Sequence, residues 1–109
     1  MRILEYAVEG DEIKKIDNGR YSGLIRGSNE TVKLKFTFSR DWKNSVKVVE
    51  FTARGGEEYE PQILVNNMCN VPKKALDEHV FHIRILGKTA NNILLDTKKM
   101  AIWQNGGSQ

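Results

Sequence analysis

The stretch that decides the fold is Thr31-Val32-Lys33-Leu34-Lys35-Phe36-Thr37-Phe38-Ser39. Val32, Leu34, Phe36 and Phe38 alternate with polar residues at every other position. A period of two puts one set of side chains on each face of a strand, here one face apolar and one polar. That is the signature of a sheet with one side packed and the other wet, which antiparallel sheets permit. The same alternation returns at Val80 to Leu86, where Phe81, Ile83 and Ile85 point inward and His82 and Arg84 outward. Gly87 is read as the end of that strand.

Outward from these two segments, strands and turns follow one another closely. Arg2 to Val8 reads as an opening strand and Ile13 to Ile16 as its return, with Glu9 to Glu12 as the turn. Asp17-Asn18-Gly19 is a turn signal, because Asn and Gly tolerate positive φ. Tyr21 to Ile25 follows as a further strand, closed by Gly27-Ser28-Asn29. Val46 to Ala53 reads as a strand whose phase slips: Val46 and Val48 share one face, Val49, Phe51 and Ala53 the other. A bulge near Val48-Val49, or burial of both faces, would account for it. Ile63 to Val65, Ile93 to Thr97 and Met100 to Trp103 complete the set, with Asn66-Asn67 and Asn91-Asn92 as turns. Pro72 is placed to start a single helical turn over Lys73 to Asp77.

The expected fold is therefore all-β: an antiparallel, immunoglobulin-like β-sandwich of about eight short strands with at most one short helical turn. Residues 1–104 are expected to form one domain, and 105–109 a flexible C-terminal tail. Composition agrees. Of 109 residues, Val, Ile and Thr supply 22 against 13 for Leu plus Ala, a bias toward residues branched at Cβ that suit a pleated surface. One Cys excludes a disulfide scaffold and a Cys-rich zinc module. No apolar run approaches the roughly 20 residues that span a bilayer as a helix, and no leader pattern precedes the first strand.

Lys plus Arg number 17 and Asp plus Glu 14, a net charge of +3. The signs are interspersed, as on a solvated surface, so nucleic acid is not the expected partner. His79 and His82, three residues apart at the entry to a strand, point to opposite faces and are read as structural rather than as metal ligands. Cys69, in an apolar neighbourhood, is read as a small buried hydrophobe. The glycines lack the Lys-Ser/Thr ending of a phosphate-binding loop. No carboxylate lies where burial would tune it for acid catalysis, so no catalytic set, metal or cofactor is assigned.

What remains is a set of candidate contacts for a protein partner or a glycan. Lys33 and Lys35 lie on the polar face of the Thr31–Ser39 strand, and Lys47 is expected to join them from a neighbouring strand. Trp42, between charged residues in a connection, and Tyr59, in the acidic Glu57 to Glu60 loop, could stack on a sugar or anchor an interface. Trp103 is expected in the core.

The segment Cys69-Asn70-Val71-Pro72-Lys73-Lys74-Ala75-Leu76, then Phe81-His82-Ile83-Arg84-Ile85-Leu86-Gly87, then Ile93 to Thr97, resembles the N-terminal domains of phage baseplate and tail-fibre proteins of the upper-baseplate, receptor-binding-platform type. In that family a C-x-V-P-x-x-x-L segment precedes an F-x-V-x-V-x-G strand and a strand ending in Thr. The order of Thr31–Ser39, Trp42 and Val46 to Phe51 is also similar, so the likeness runs over residues 31–104. It implies a non-enzymatic structural module that assembles with other tail or baseplate proteins, with itself in a homo-oligomer, or both. Its place would be the virion tail, or the host cytoplasm before assembly. The matched positions act as fold determinants, and no ligand-binding residue is carried over. The family's helical shaft and receptor-binding head are not expected in these residues, which read as a small tail component or an isolated domain. The competing functions are a carbohydrate-binding module using Trp42 and Tyr59, and a small phage-encoded inhibitor of a host protein using the Glu57 to Glu60 loop.

Overall fold

A computed structural model describes residues 2–16 and 31–104. Within them nine strands form two sheets: β1 (Arg2–Glu9), β2 (Glu12–Lys15), β3 (Val32–Phe38), β4 (Ser45–Ala53), β5 (Gln62–Ile63), β6 (Met68–Asn70), β7 (Val80–Thr89), β8 (Leu94–Asp96) and β9 (Met100–Trp103). Two single 3-10 turns, Arg40–Trp42 and Ala75–Asp77, are the only helical pieces among the described residues. The expected Asn18-Gly19 turn, the Tyr21 to Ile25 strand and the 105–109 tail lie outside the described residues.

The first sheet has the order β2-β1-β3-β6, and the second β5-β4-β7-β8 with β9 also on β7. All pairings but one are antiparallel; β1 and β3 run parallel, in register from Arg2–Val32 to Val8–Phe38. Residues 10–31 separate those two strands, which is length enough for the crossover that a parallel pair needs. Alternation alone does not reveal strand direction, so the sequence pattern missed this pair.

The core lies between the sheets. Leu4, Tyr6 and Val8 of β1 and Val32, Leu34 and Phe36 of β3 face Val49 and Phe51 of β4 and Phe81, Ile83 and Ile85 of β7. Cys69, Leu76 and Ile102 close it at its margins. Each such side chain, fully buried, contributes about 1.5–3 kcal/mol. The alternations at 31–39 and 80–86 are thus packed as the sequence requires.

Three local expectations are corrected. First, β4 contains no bulge: its register with β7 runs unbroken from Ser45–Thr89 to Ala53–Phe81. The phase slip instead marks Val46 and Val48 as apolar residues on the outer face. Second, Gly87 does not end β7 but sits inside it, because the strand passes directly beneath the Trp42 ring. Third, Trp103 is 45% exposed and lies T-shaped to the His79 ring, centroids 5.7 Å apart, on the outside rather than in the core.

Polar side chains finish the ladders where strands stop. Thr97 Oγ1 accepts from the Ile85 amide (3.0 Å) while the Thr97 amide donates to the Ile85 carbonyl, so the chain stays bonded to β7 between β8 and β9. Gln104 Nε2 donates to the carbonyls of Ala75, Leu76 and Glu78, tying the strand-to-strand turn to the end of β9. Asn66 and Asn67, both at positive φ, make the tight turn that carries the chain into β6.

Candidate interaction surfaces

Trp42 is 1% exposed and presents no ring face to a sugar or a partner, which removes it from the contact set. Its indole N–H donates to the Gly10 carbonyl at 2.7 Å. Its ring packs on Phe38 (centroids 5.5 Å apart) and against Gly87, so the side chain bridges the two sheets. Charged neighbours in the sequence suggested an exposed position. The 3-10 turn over Arg40–Trp42 instead rolls the tryptophan inward and leaves the charges outside.

Tyr59 is half-buried, packed against the core, and its hydroxyl donates to Glu78 Oε1 at 3.1 Å. Burial, reinforced by the hydrogen bond and charge of Glu78, pushes the phenol up to about 12. With Glu57, Glu58, Glu60, Lys73 and Lys74 it borders a depression of about 350 Å³ that mixes both signs of charge.

Lys33 and Lys35 lie on the outer face of the first sheet, as expected, and Lys35 is 3.9 Å from Glu5. Lys47 does not join them, because β4 belongs to the second sheet. It faces the other way, at the mouth of the sandwich, with its ammonium 4.9 Å from the Phe38 ring centroid and donating to the Ser45 carbonyl. Desolvation there lowers its pKa. A continuous basic face of three lysines therefore does not exist.

Cys69 is buried, and desolvation pushes its thiol up to about 12. Among the described residues no three His, Cys, Asp or Glu side chains gather as a metal site, and no helix is long and apolar enough to cross a membrane.

The feature missed in the sequence is the outer face of the second sheet. Register aligns Ile63, Val48 and Leu86 across β5, β4 and β7, and Val46, Lys88 and Leu94 across β4, β7 and β8. Val46 is 66% exposed, Ile63 63% and Leu94 76%. Several of these residues line a shallow groove of about 640 Å³. The signal was present: Val46, Val48 and Leu86 are apolar at positions where the alternation calls for polar residues. Contiguous exposed apolar surface of this kind marks interaction sites far more often than scattered single residues do.

No family model matches the sequence, and no curated protein matches it. Among solved structures, the chain is similar to the N-terminal domain of phage TP901-1 ORF48. The TM-score is 0.58 at 10% identity, over 96% of this chain and 100% of that one. The likeness is one of fold.

Proposed function

We propose that this chain is a non-enzymatic structural module of a phage or prophage tail or baseplate, which works by protein–protein contact. The observation that carries the reading is the fold shared with the N-terminal domain of phage TP901-1 ORF48 over nearly the whole of both chains. Fold alone does not assign function, since one fold hosts many. Here it joins the resemblance read in the sequence over residues 31–104. The apolar outer face of the second sheet gives such a module somewhere to dock. Its partners would be other tail or baseplate proteins, with a homo-oligomer as a further possibility, and its place the tail of the virion.

The carbohydrate-binding alternative loses its main platform with the burial of Trp42, since a sugar needs an open ring face. Native mass spectrometry of the chain mixed with tail-tip proteins of the same phage tests the proposal. A complex of fixed stoichiometry is expected; a chain that stays free in every mixture would overturn it.

A further inference from the structure

The depression of about 350 Å³ beside Tyr59 carries its charges sorted by sign. Glu57, Glu58 and Glu60 border one side of it, and Lys73 and Lys74 the other. All five side chains are exposed, and among the described residues none of them is in an ion pair.

The backbone fixes both sides. The acidic segment runs along the edge of β4, where the Ala53 amide donates to the Glu57 carbonyl (2.7 Å) and the Tyr59 amide to the Phe51 carbonyl (2.9 Å). The lysines sit on a turn in which the Ala75 amide donates to the Pro72 carbonyl (3.0 Å) and the Leu76 amide to the Lys73 carbonyl (3.1 Å). Buried Ala75 and Leu76 root that turn in the core. The groove is thus a fixed dipole, with an acidic side, a basic side, and Tyr59 and Pro72 in its lining.

A groove of this kind is complementary to itself. A two-fold axis along it lays the basic side of one copy on the acidic side of the other, and the same operation makes the reciprocal pairing. Apolar surface adjoins it on the same margin of the sandwich. Ile63 and Val65, 63% and 68% exposed, border a second depression of about 380 Å³ that shares Gln62 with the first.

We propose that this margin is the contact between two copies of the chain, Lys73 and Lys74 of each pairing with Glu57, Glu58 and Glu60 of the other. This rests on the assembly reading above and specifies the homo-oligomer within it. Exposed ion pairs add little affinity, so here they set orientation and register. Covering Tyr59, Pro72, Ile63 and Val65 supplies the attraction.

The test is sedimentation equilibrium of the full chain with its groove charges exchanged. The wild type should dimerise reversibly at about 0.01 M salt and more weakly at about 1 M, where the screening length falls from roughly 30 to roughly 3 Å. Lys73→Glu/Lys74→Glu makes the groove acidic throughout, and Glu58→Lys/Glu60→Lys makes it mainly basic. Each alone should raise the dimer dissociation constant by roughly tenfold or more. Mixed together, the two should form a heterodimer at least as tight as the wild-type dimer. Lys14→Glu/Lys88→Glu changes the net charge as the acidic variant does, but on β2 and β7. It should dimerise like the wild type and pair no better than the wild type with the basic variant. Circular dichroism verifies that each variant is folded. A monomer at every concentration and salt, a dimer indifferent to the reversals, or a mixture that restores nothing would overturn the proposal. So would a monomeric chain whose binding to a tail protein the reversals abolish, because the groove would then serve a different chain. A monomer that still joins tail proteins leaves the assembly reading standing without this contact.

Discussion

The ring of Trp42 occupies the space above the Gly87 α-carbon: a methyl group there would lie 2.7 Å from Cζ3 and 3.0 Å from Cε3. The ring cannot swing aside cheaply, because its N–H is held by the Gly10 carbonyl and it packs at a tilt on Phe38. Gly87→Ala should therefore destabilise the domain by about 1–3 kcal/mol, the usual cost of overpacking. Trp42→Phe should be destabilising as well. Combined, they should cost less than the sum, since the smaller ring makes room for the methyl. Urea unfolding of the four proteins measures the coupling; strict additivity would mean that the contact is not felt.

Gln104 sits where one amide nitrogen serves three carbonyls. Gln104→Leu leaves those carbonyls without that donor and should cost about 1–3 kcal/mol. Gln104→Glu should cost more at neutral pH, because a carboxylate would face carbonyl oxygens. Its folded pKa would then be raised above the unfolded value, so the deficit should shrink as pH falls and the carboxyl regains a proton to donate. Chemical unfolding at several pH values checks the direction.

Tyr59 makes the fold sensitive to alkali. Its phenol is raised from 10.0 to about 12, so the folded state favours the neutral form. The associated stability is fully present below pH 10 and is lost as pH rises from 10 through 12. Between those values the unfolding midpoint of the wild type should fall more steeply than that of Tyr59→Phe, which has no proton to lose. Parallel slopes would show that the phenol is not linked to folding.

Cys69 should be inert while the domain is folded. Its thiol is 7% exposed and raised to about 12, so the reactive thiolate is scarce at pH 8. A thiol reagent should register almost no reaction in native buffer and full reaction in denaturant. Rapid labelling of the native protein would place the sulfur at the surface.

The parts of this structure readable in the sequence are those that a single strand decides for itself. Thr31–Ser39 and Val80 to Leu86 announce their buried faces by alternation, and Asn66-Asn67 announces its turn through its tolerance of positive φ. What was unreadable depends on pairs of distant residues. Gly87 reads as a strand terminus in the sequence, and only the Trp42 ring above it accounts for a glycine inside β7. Lys47 reads as a neighbour of Lys33 in the sequence, but β3 and β4 lie in different sheets. The apolar outer face was half readable: Val46 and Val48 broke the alternation, but the break pointed as well to a bulge as to a surface. Only the unbroken β4–β7 register separates the two.

Whether the chain is a tail component is tested most directly by quantitative mass spectrometry of purified particles from the phage or prophage that encodes it. The chain should be present in intact particles, at a fixed ratio to the other tail proteins across gradient fractions. Its absence from particles, with the protein abundant in the lysate that produced them, would contradict a structural role in the tail.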